Sequence, residues 1–380
     1  MKAFRPEGRA NPVQEKFGAA RRELSAALIE RDDEVDLVLT ALVAREHVLL
    51  VGPPGCAKSL LLDAVMGWMS GRKFTVLLTK FSTPEELFGP VSVAGLKEDR
   101  YRRITAGKLP EADGCFIDEV WKASSAILNT LLRLLNERVF DNGDGALAPV
   151  PLRLCVAASN EWPQQFEGGR ELNALFDRFL LRRAVRPILS AAGRQRLLWE
   201  RDHTPRLSTT VTPAEIDQAH ADATALPWTE EAKQALEQIL RELAKEGVQP
   251  GDRRQYKSVG AAQAFAYLCG ADRVEPEHLE VLAHTLWEDP EEQPAKAAGV
   301  VARVANPAGL QVNSLLVEVE QVLAATDTRN LAQAASAASK LQEVHRKLSG
   351  LKGGDGRVAK AKEYVQGQIK RIKLASIEAL

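Results

Sequence analysis

The 380-residue chain sets 50 Lys and Arg against 51 Asp and Glu, and the formal net charge of −1 argues against a globally basic nucleic-acid binder. Cys56, Cys115, Cys155 and Cys269 lie far apart with no C-x-x-C pair, which argues against a zinc site or a disulfide framework and for reduced thiols in the cytosol. Met1–Pro12 has no apolar leader region and no apolar run approaches the roughly eighteen residues of a membrane helix, so a cytoplasmic protein of two or three domains without membrane insertion is expected.

Val13, Phe17, Ala20, Leu24 and Leu28 recur at helical spacing, and a second helix is expected from about Asp33 to Ala44 with Val35, Val38, Leu39 and Leu42 inward. These helices either wall a ligand pocket or simply pack in the core. His47–Val51 reads as a buried strand and Leu60–Met66 as a helix; between them stands Gly52-Pro53-Pro54-Gly55-Cys56-Ala57-Lys58-Ser59. A strand, a Gly/Pro-rich turn and a helix beginning at Lys-Ser make a phosphate-binding loop: backbone N–H groups wrap the anion, Lys58 brings a point charge to the outer phosphates, and the Ser59 hydroxyl ligates Mg²⁺. Leu60 follows directly and counts among the nucleotide-binding positions. Ala57 stands where G-x-x-x-x-G-K-[ST] has its last glycine, so a negative φ is expected there, as at a first-turn helical position.

Short apolar runs then alternate with helical segments, the signature of a parallel sheet covered on both faces. Strands are expected at Phe74–Leu78, Cys115–Ile117, Leu152–Ala158 and Phe179–Val185, which with the first makes five. Thr83-Pro84-Glu85-Glu86 begins a helix that Pro90 interrupts, and Val91–Ile104 reads as a β-hairpin around Lys97-Glu98-Asp99, with Tyr101, Arg102 and Arg103 outward or in no role at all. Cys115-Phe116-Ile117-Asp118-Glu119 puts two carboxylates at the C-terminal edge of the sheet, where open α/β sheets bind ligands. Asp118 there would hold Mg²⁺ through water and Glu119 would polarise the attacking water. Ser124–Arg138 is a largely buried helix, Asp141–Gly145 a turn, and Leu152–Asn160 a strand ending on an Asn beside Asp118-Glu119.

From Ser190 to about Asp289 the pattern is helical: a capping box at Thr212-Pro213-Ala214-Glu215, a helix from Thr229-Glu230-Glu231 to near Gly247, one opened by Gly251-Asp252-Arg253-Arg254, and one begun by Glu275-Pro276-Glu277. Two arginines at a helix N-terminus, where the dipole disfavours cations, suggest an anion partner. Pro290-Glu291-Glu292-Gln293-Pro294 reads as a linker. Beyond it, Leu331 to Leu348 and Val358 to Ala375 carry 3–4 apolar spacing on either side of Gly350–Gly356, an antiparallel helical hairpin with Leu315–Leu323 as a candidate third helix.

Gly52–Ser59, Asp118-Glu119, Ser159-Asn160 and Leu175-Phe176-Asp177-Arg178-Phe179, in this order, resemble the AAA+ ATPases over about residues 13–290. The interrupted helix at Thr83 and Glu119-Val120-Trp121-Lys122-Ala123 look like the MoxR branch, and within it the RavA regulatory ATPases. The resemblance implies an α/β fold with an AAA+ P-loop core and a parallel five-stranded sheet (1–189, with N-terminal helices at 12–44 and a helix-2 insert at about 83–108). A helical lid (190–289) and a linker with a C-terminal helical hairpin or triple-helical extension (290–380) complete it. It also implies ATP/ADP and Mg²⁺, and a homo-oligomer, usually a hexameric ring. Asn160 becomes sensor 1, Arg178 the arginine finger with Arg182 and Arg183 as fallbacks, and Arg253 the sensor-2 arginine, with Arg254 beside it. A protein client and a von Willebrand factor A partner follow from the same resemblance. RavA proteins insert a β-domain in their helical arm; this chain has no room for it, so the partner of that domain is not carried over.

Three functions remain: an ATP-driven remodeller of protein, a nucleic-acid motor on the same core, and a nucleotide-gated scaffold. Intact Lys58, Asp118, Glu119 and Asn160 speak against the scaffold. No aromatic-interleaved basic stretch supports the motor, although the segment 351–380 has seven Lys/Arg against three Asp/Glu. Neither G-x-S-x-G nor H-E-x-x-H is present.

Overall fold

A computed structural model of the chain describes residues 11–143, 147–166, 169–326, 330–351 and 357–378. Helix α1 (Pro12–Ala27) starts where Asn11 and Gln14 cap each other reciprocally with Pro12 in the first turn. Helix α2 (Asp32–Ala44) is buried along most of its length and delivers the chain to β1 (Val48–Val51). There follow α3 (Lys58–Trp68), β2 (Lys73–Leu77), α4 (Pro84–Phe88), α5 (Val93–Lys97), β3 (Gly114–Asp118) and α6 (Ser125–Glu137). After the small antiparallel pair β4 (Val139–Asp141) and β5 (Leu147–Pro149) come β6 (Leu154–Ser159), α7 (Gly169–Arg178) and β7 (Leu181–Ala184).

The main sheet is wholly parallel in the order β2-β3-β6-β1-β7. Its central strands are apolar because both faces are covered; every residue of β1 and β6 is buried. Register then decides the site. Val51 pairs with Ser159 and Leu77 with Asp118, so the residues that follow β1, β3 and β6 emerge side by side at one edge.

The five strands fall where expected, but the insert does not. Val91–Ile104 is no β-hairpin: only its base pairs, through Ser92 N–H to Arg102 O and Ile104 N–H to Pro90 O, both 2.8 Å. Above that, the Ser92 hydroxyl accepts from Gly95 N–H and starts the short helix α5, whose turn is closed too tightly by Arg100 O for a side chain at Gly95. Tyr101 and Arg102 are exposed as expected, whereas Arg103 folds back onto Gly89 O and Glu85. The expected turn at 141–145 links β4 to β5, a pairing the sequence reading missed; residues 144 and 145 lie outside the described residues.

The lid contains α8 (Ala191–Trp199), α9 (Pro213–Thr224), α10 (Glu230–Lys245), α11 (Asp252–Leu268) and a 3-10 segment, Pro276–His284, where a regular helix was expected. The linker expected at 290–294 is instead a turn into α12 (Gln293–Ala305). Gln293 Oε1 accepts from Glu288 and Asp289 N–H, and Ala297, Val300, Val301 and Ala305 bury into the same core as the lid. The apolar core breaks later, near Asn306. Helices α13 (Pro307–Ala324), α14 (Leu331–Gly350) and α15 (Arg357–Glu378) form a three-helix unit around their own core of Leu341, Val344, Leu348, Val365 and Ile369. Among the described residues no helix is long and apolar enough to cross a membrane.

Candidate functional site

The loop between β1 and α3 is shaped by close approach. A Cβ on Gly52 would lie 2.2 Å from Val185 O, so only glycine lets the loop leave the sheet between β1 and β7. Gly55 has φ +80 and open space around it. Ala57 corrects the expectation of negative φ: it stands at φ 60, ψ 20, the left-handed N-cap of α3, and not in its first turn. The turn that aims the N-terminus of α3 at the loop needs a reversal of hand just before Lys58, and Ala57 supplies it at a cost of about 1 kcal/mol. Among the described residues six non-glycines have positive φ, and Glu30, Ala57 and Glu119 are three of them, all around this loop.

Lys58 is buried, and its Nζ is held by Gly52 O at 2.5 Å, Pro53 O at 3.0 Å and Asn160 Oδ1 at 3.4 Å. Burial lowers the pKa of its ammonium, while Cys56, Asp118 and Glu119 oppose that shift. Asp118 ends β3, and its Oδ1 accepts from Glu119 N–H at 2.9 Å, which helps set the left-handed turn at Glu119. The Glu119 carboxylate accepts from the Asn160 amide on one oxygen and pairs with Lys122 Nζ at 3.4 Å on the other. Lys58, Asn160 and Glu119 thus form one polar chain across the ends of β1, β6 and β3. Ser59 and Leu60, in the first turn of α3, are exposed at the same edge. The donor set suits a nucleotide triphosphate with Mg²⁺: a buried ammonium among loop carbonyls, an exposed hydroxyl, one carboxylate for a hydrated ion, and an open glycine for the phosphates.

Arg31 was missed by the sequence reading. It starts α2 and donates to Cys56 O at 3.0 Å and Arg186 O at 2.8 Å, tying the loop to the end of β7. Beside it opens a cavity of about 530 Å³ lined by Glu30, Arg31, Arg186, Leu189, His284 and Trp287. The two N-terminal helices therefore reach a pocket through their connection, while their own apolar faces pack in the core. A lone Arg before an acidic helix start carries no signal that singles it out.

The five candidate arginines separate by burial and partners. Arg182 is buried on three carbonyls, and Arg183 is paired with Asp33 and Glu34. Arg254 is buried as well, on carbonyls and Asp177. Arg178 keeps 23% of its side chain exposed, with Asp177 as its ion partner at 3.0 Å. Burial and then neighbouring Arg253 lower its pKa. Burial disfavours the Asp177 carboxylate, yet Arg254, Arg182 and Arg253 together hold its pKa below the ordinary range.

Arg253 does not reach the loop of its own chain. It donates to Asn136 at the end of α6 and lies 4.0 Å from Asp177. Leu135, next to Asn136, accepts from His47, which precedes β1; Arg253 thus sits at the N-terminal edge of the sheet. From His47 to Gly52 is about 16 Å at some 3.3 Å per residue. The charges acting on Arg178 are Arg253, Asp177 and Glu137, whereas those acting on Lys58 are Cys56, Asp118 and Glu119. Arg178 and Arg253 form one cationic pair on the edge opposite the loop between β1 and α3.

Known proteins match both the core and the lid of this chain. The family described as the MoxR domain in the MoxR-vWA-beta-propeller ternary systems matches residues 15–220, and an AAA lid domain matches 231–297. A protein of Methanocaldococcus jannaschii is 39% identical over 274 residues, 72% of this chain and 71% of its own. Protein MoxR of Methylorubrum extorquens is 27% identical over 325 residues, covering 76% of this chain and 93% of its own. A solved structure from Cytophaga hutchinsonii shares the fold with a TM-score of 0.61 at 16% identity, over 77% of this chain and 95% of that one. The matches reach the family as a whole and do not single out its RavA group.

Proposed function

The chain belongs to the MoxR family of AAA+ ATPases, and from that premise we propose that it is a ring-forming, ATP-hydrolysing chaperone that remodels or assembles a protein client, working with a von Willebrand factor A domain protein. The family's description names such a partner together with a β-propeller, which supports a protein client over nucleic acid.

The adenine lies in the cavity beside Arg31 and the phosphates lie in the loop Gly52–Ser59. Lys58 exchanges its loop carbonyls for phosphate oxygens. Ser59, and Asp118 through water, would hold Mg²⁺, which would supply neutralisation of the charge on the transferring phosphoryl group. Glu119, held by Asn160 and Lys122, orients the attacking water and takes its proton. The chain's own Arg178 and Arg253 sit on the far edge of the sheet, so the cations that stabilise the transferring phosphoryl group come from a neighbouring subunit.

The observation that carries this reading is that opposite placement of the loop and the Arg178–Arg253 pair. Its test is complementation. Arg178→Ala alone should lose about 10³-fold or more of hydrolysis with nucleotide affinity kept, since a finger in trans is worth on the order of 10³–10⁵. Mixing it with Glu119→Gln subunits should restore activity, because some interfaces then pair an intact site with an intact finger. Mixtures that stay inactive at every ratio, with rings formed, would assign Arg178 a structural role within its own chain.

A further inference from the structure

Two arginines near the Arg178 turn are almost wholly buried, Arg182 at 1% and Arg254 at 2% side-chain exposure. Arg182 donates to Phe176 O at 2.8 Å, Phe179 O at 2.9 Å and Trp287 O at 2.8 Å, with its guanidinium 3.7 Å from the Phe176 ring centroid. Arg254 donates to Leu180 O at 3.0 Å, Asp177 O at 3.2 Å and Thr285 O at 2.9 Å. Between them the two forks hold carbonyls on both sides of Arg178. Each also holds a carbonyl just past the lid's 3-10 segment, Trp287 O for Arg182 and Thr285 O for Arg254. An apolar pair would hold the turn at less desolvation cost; what planar forks add is fixed geometry.

The lid end they grip is also a wall of the cavity next to the phosphate loop, where Arg182, His284 and Trp287 all contribute. The finger turn and the cavity wall are therefore one rigid piece. We propose that Arg182 and Arg254 are positioning residues that bolt the turn carrying Arg178 to the lid wall, so that nucleotide seated in one subunit's cavity sets how Arg178 is presented to the next subunit's loop. This rests on the finger acting in trans.

The test uses full-length subunits mixed at known ratios, with incorporation into assemblies checked by sedimentation. The acceptor is Arg178→Ala, with an intact loop and no finger. The donor is either Glu119→Gln, which holds ATP, or Lys58→Ala, which does not. The Glu119→Gln donor should restore hydrolysis on the acceptor. The Lys58→Ala donor should restore it about tenfold less well, within the 5–150-fold usual for coupled sites. Placing Arg254→Lys, which lies outside the cavity lining, in the Glu119→Gln donor should cut the restored rate about 100-fold, as a finger misplaced by about 1 Å would, with the donor's own ATP affinity unchanged.

No restoration by the plain Glu119→Gln donor would end the trans reading itself. Restoration by both donors equally would overturn the present proposal, and so would an unchanged rate with folded Arg254→Lys. Should Arg254→Lys fail to fold, the comparison of the two donors decides alone.

Discussion

The Asn160 amide donates to one oxygen of the Glu119 carboxylate, across the gap between the ends of β6 and β3. The same side chain turns its carbonyl to Lys58 Nζ at 3.4 Å, so Glu119 and Lys58 are held a fixed distance apart by one residue.

Glu119→Gln keeps the hydrogen bond to Asn160 and removes the base. ATP binding should persist while turnover falls by 10² or more. Lys58→Ala should lose binding itself, and Asn160→Ala should bind ATP near normally but hydrolyse slowly, because Glu119 is no longer aimed. Fluorescent-nucleotide titration alongside phosphate release separates the three. A Glu119→Gln variant that hydrolyses at the parent rate would remove Glu119 from its role.

Ala57 at φ 60 predicts a sign pattern. Ala57→Gly relieves about 1 kcal/mol of left-handed strain and loosens the unfolded chain by a similar amount, so stability should change little and ATP binding should remain. Ala57→Val places a β-branched residue in the same region and should lose about 1–3 kcal/mol with weaker nucleotide binding. Chemical denaturation with and without ATP reads both, and equal behaviour of the two variants would contradict the left-handed assignment.

His47 is buried, with Nε2 donating to Leu135 O at 2.9 Å and Nδ1 accepting from Cys155 N–H at 3.1 Å, so the neutral ring uses both nitrogens. Burial and then Arg138 push its pKa well below 6.5. The unfolded chain takes up this proton first, so the contribution of His47 is whole above about pH 6.5 and falls with pH until the folded pKa is reached. Between pH 6.5 and 5.0 the loss should be about 2 kcal/mol from this residue. Urea midpoints across that range should show it, and His47→Gln should flatten the slope by one proton; an identical slope in the variant would refute the assignment.

The separate core of α13–α15 makes truncation informative. Removing 306–380 should leave a folded, hydrolysing protein that no longer holds its protein partner. Removing 296–380 also strips most of α12 and its buried Ala297, Val300 and Val301 from the lid, and should lower the melting temperature and hydrolysis together. Indistinguishable truncations would put the boundary back near 290. Pull-downs at two salt concentrations with the full chain complete the test, since a nucleic-acid ligand would leave steeply with salt and a protein docked by apolar anchors would not.

Wherever the deciding interactions are local, the sequence alone was enough. The glycine-rich turn between β1 and α3, the five strands, the starts of α9 and α10, and the carboxylates after β3 follow from spacing, capping chemistry and apolar runs that a reader of the chain can check. The insert misled because Val91 and Ile104 bound a segment with strand-like ends, while a Ser92 cap and a crowded Gly95 make its middle helical. Pro290–Pro294 misled because proline clusters mark helix starts as well as linkers, and only the packing of Val300 and Val301 tells which. The hand of Ala57 was decided by the close approach of Val185 O to Gly52 and the direction in which α3 leaves, neither of which is written in an eight-residue motif. Tertiary structure likewise sorted the arginines: Arg178, Arg182, Arg253 and Arg254 read alike in sequence. Folding buries two of them on carbonyls and sends the other two to the edge of the sheet away from their own loop, because a parallel strand puts its two ends about 16 Å apart and no side chain spans that distance.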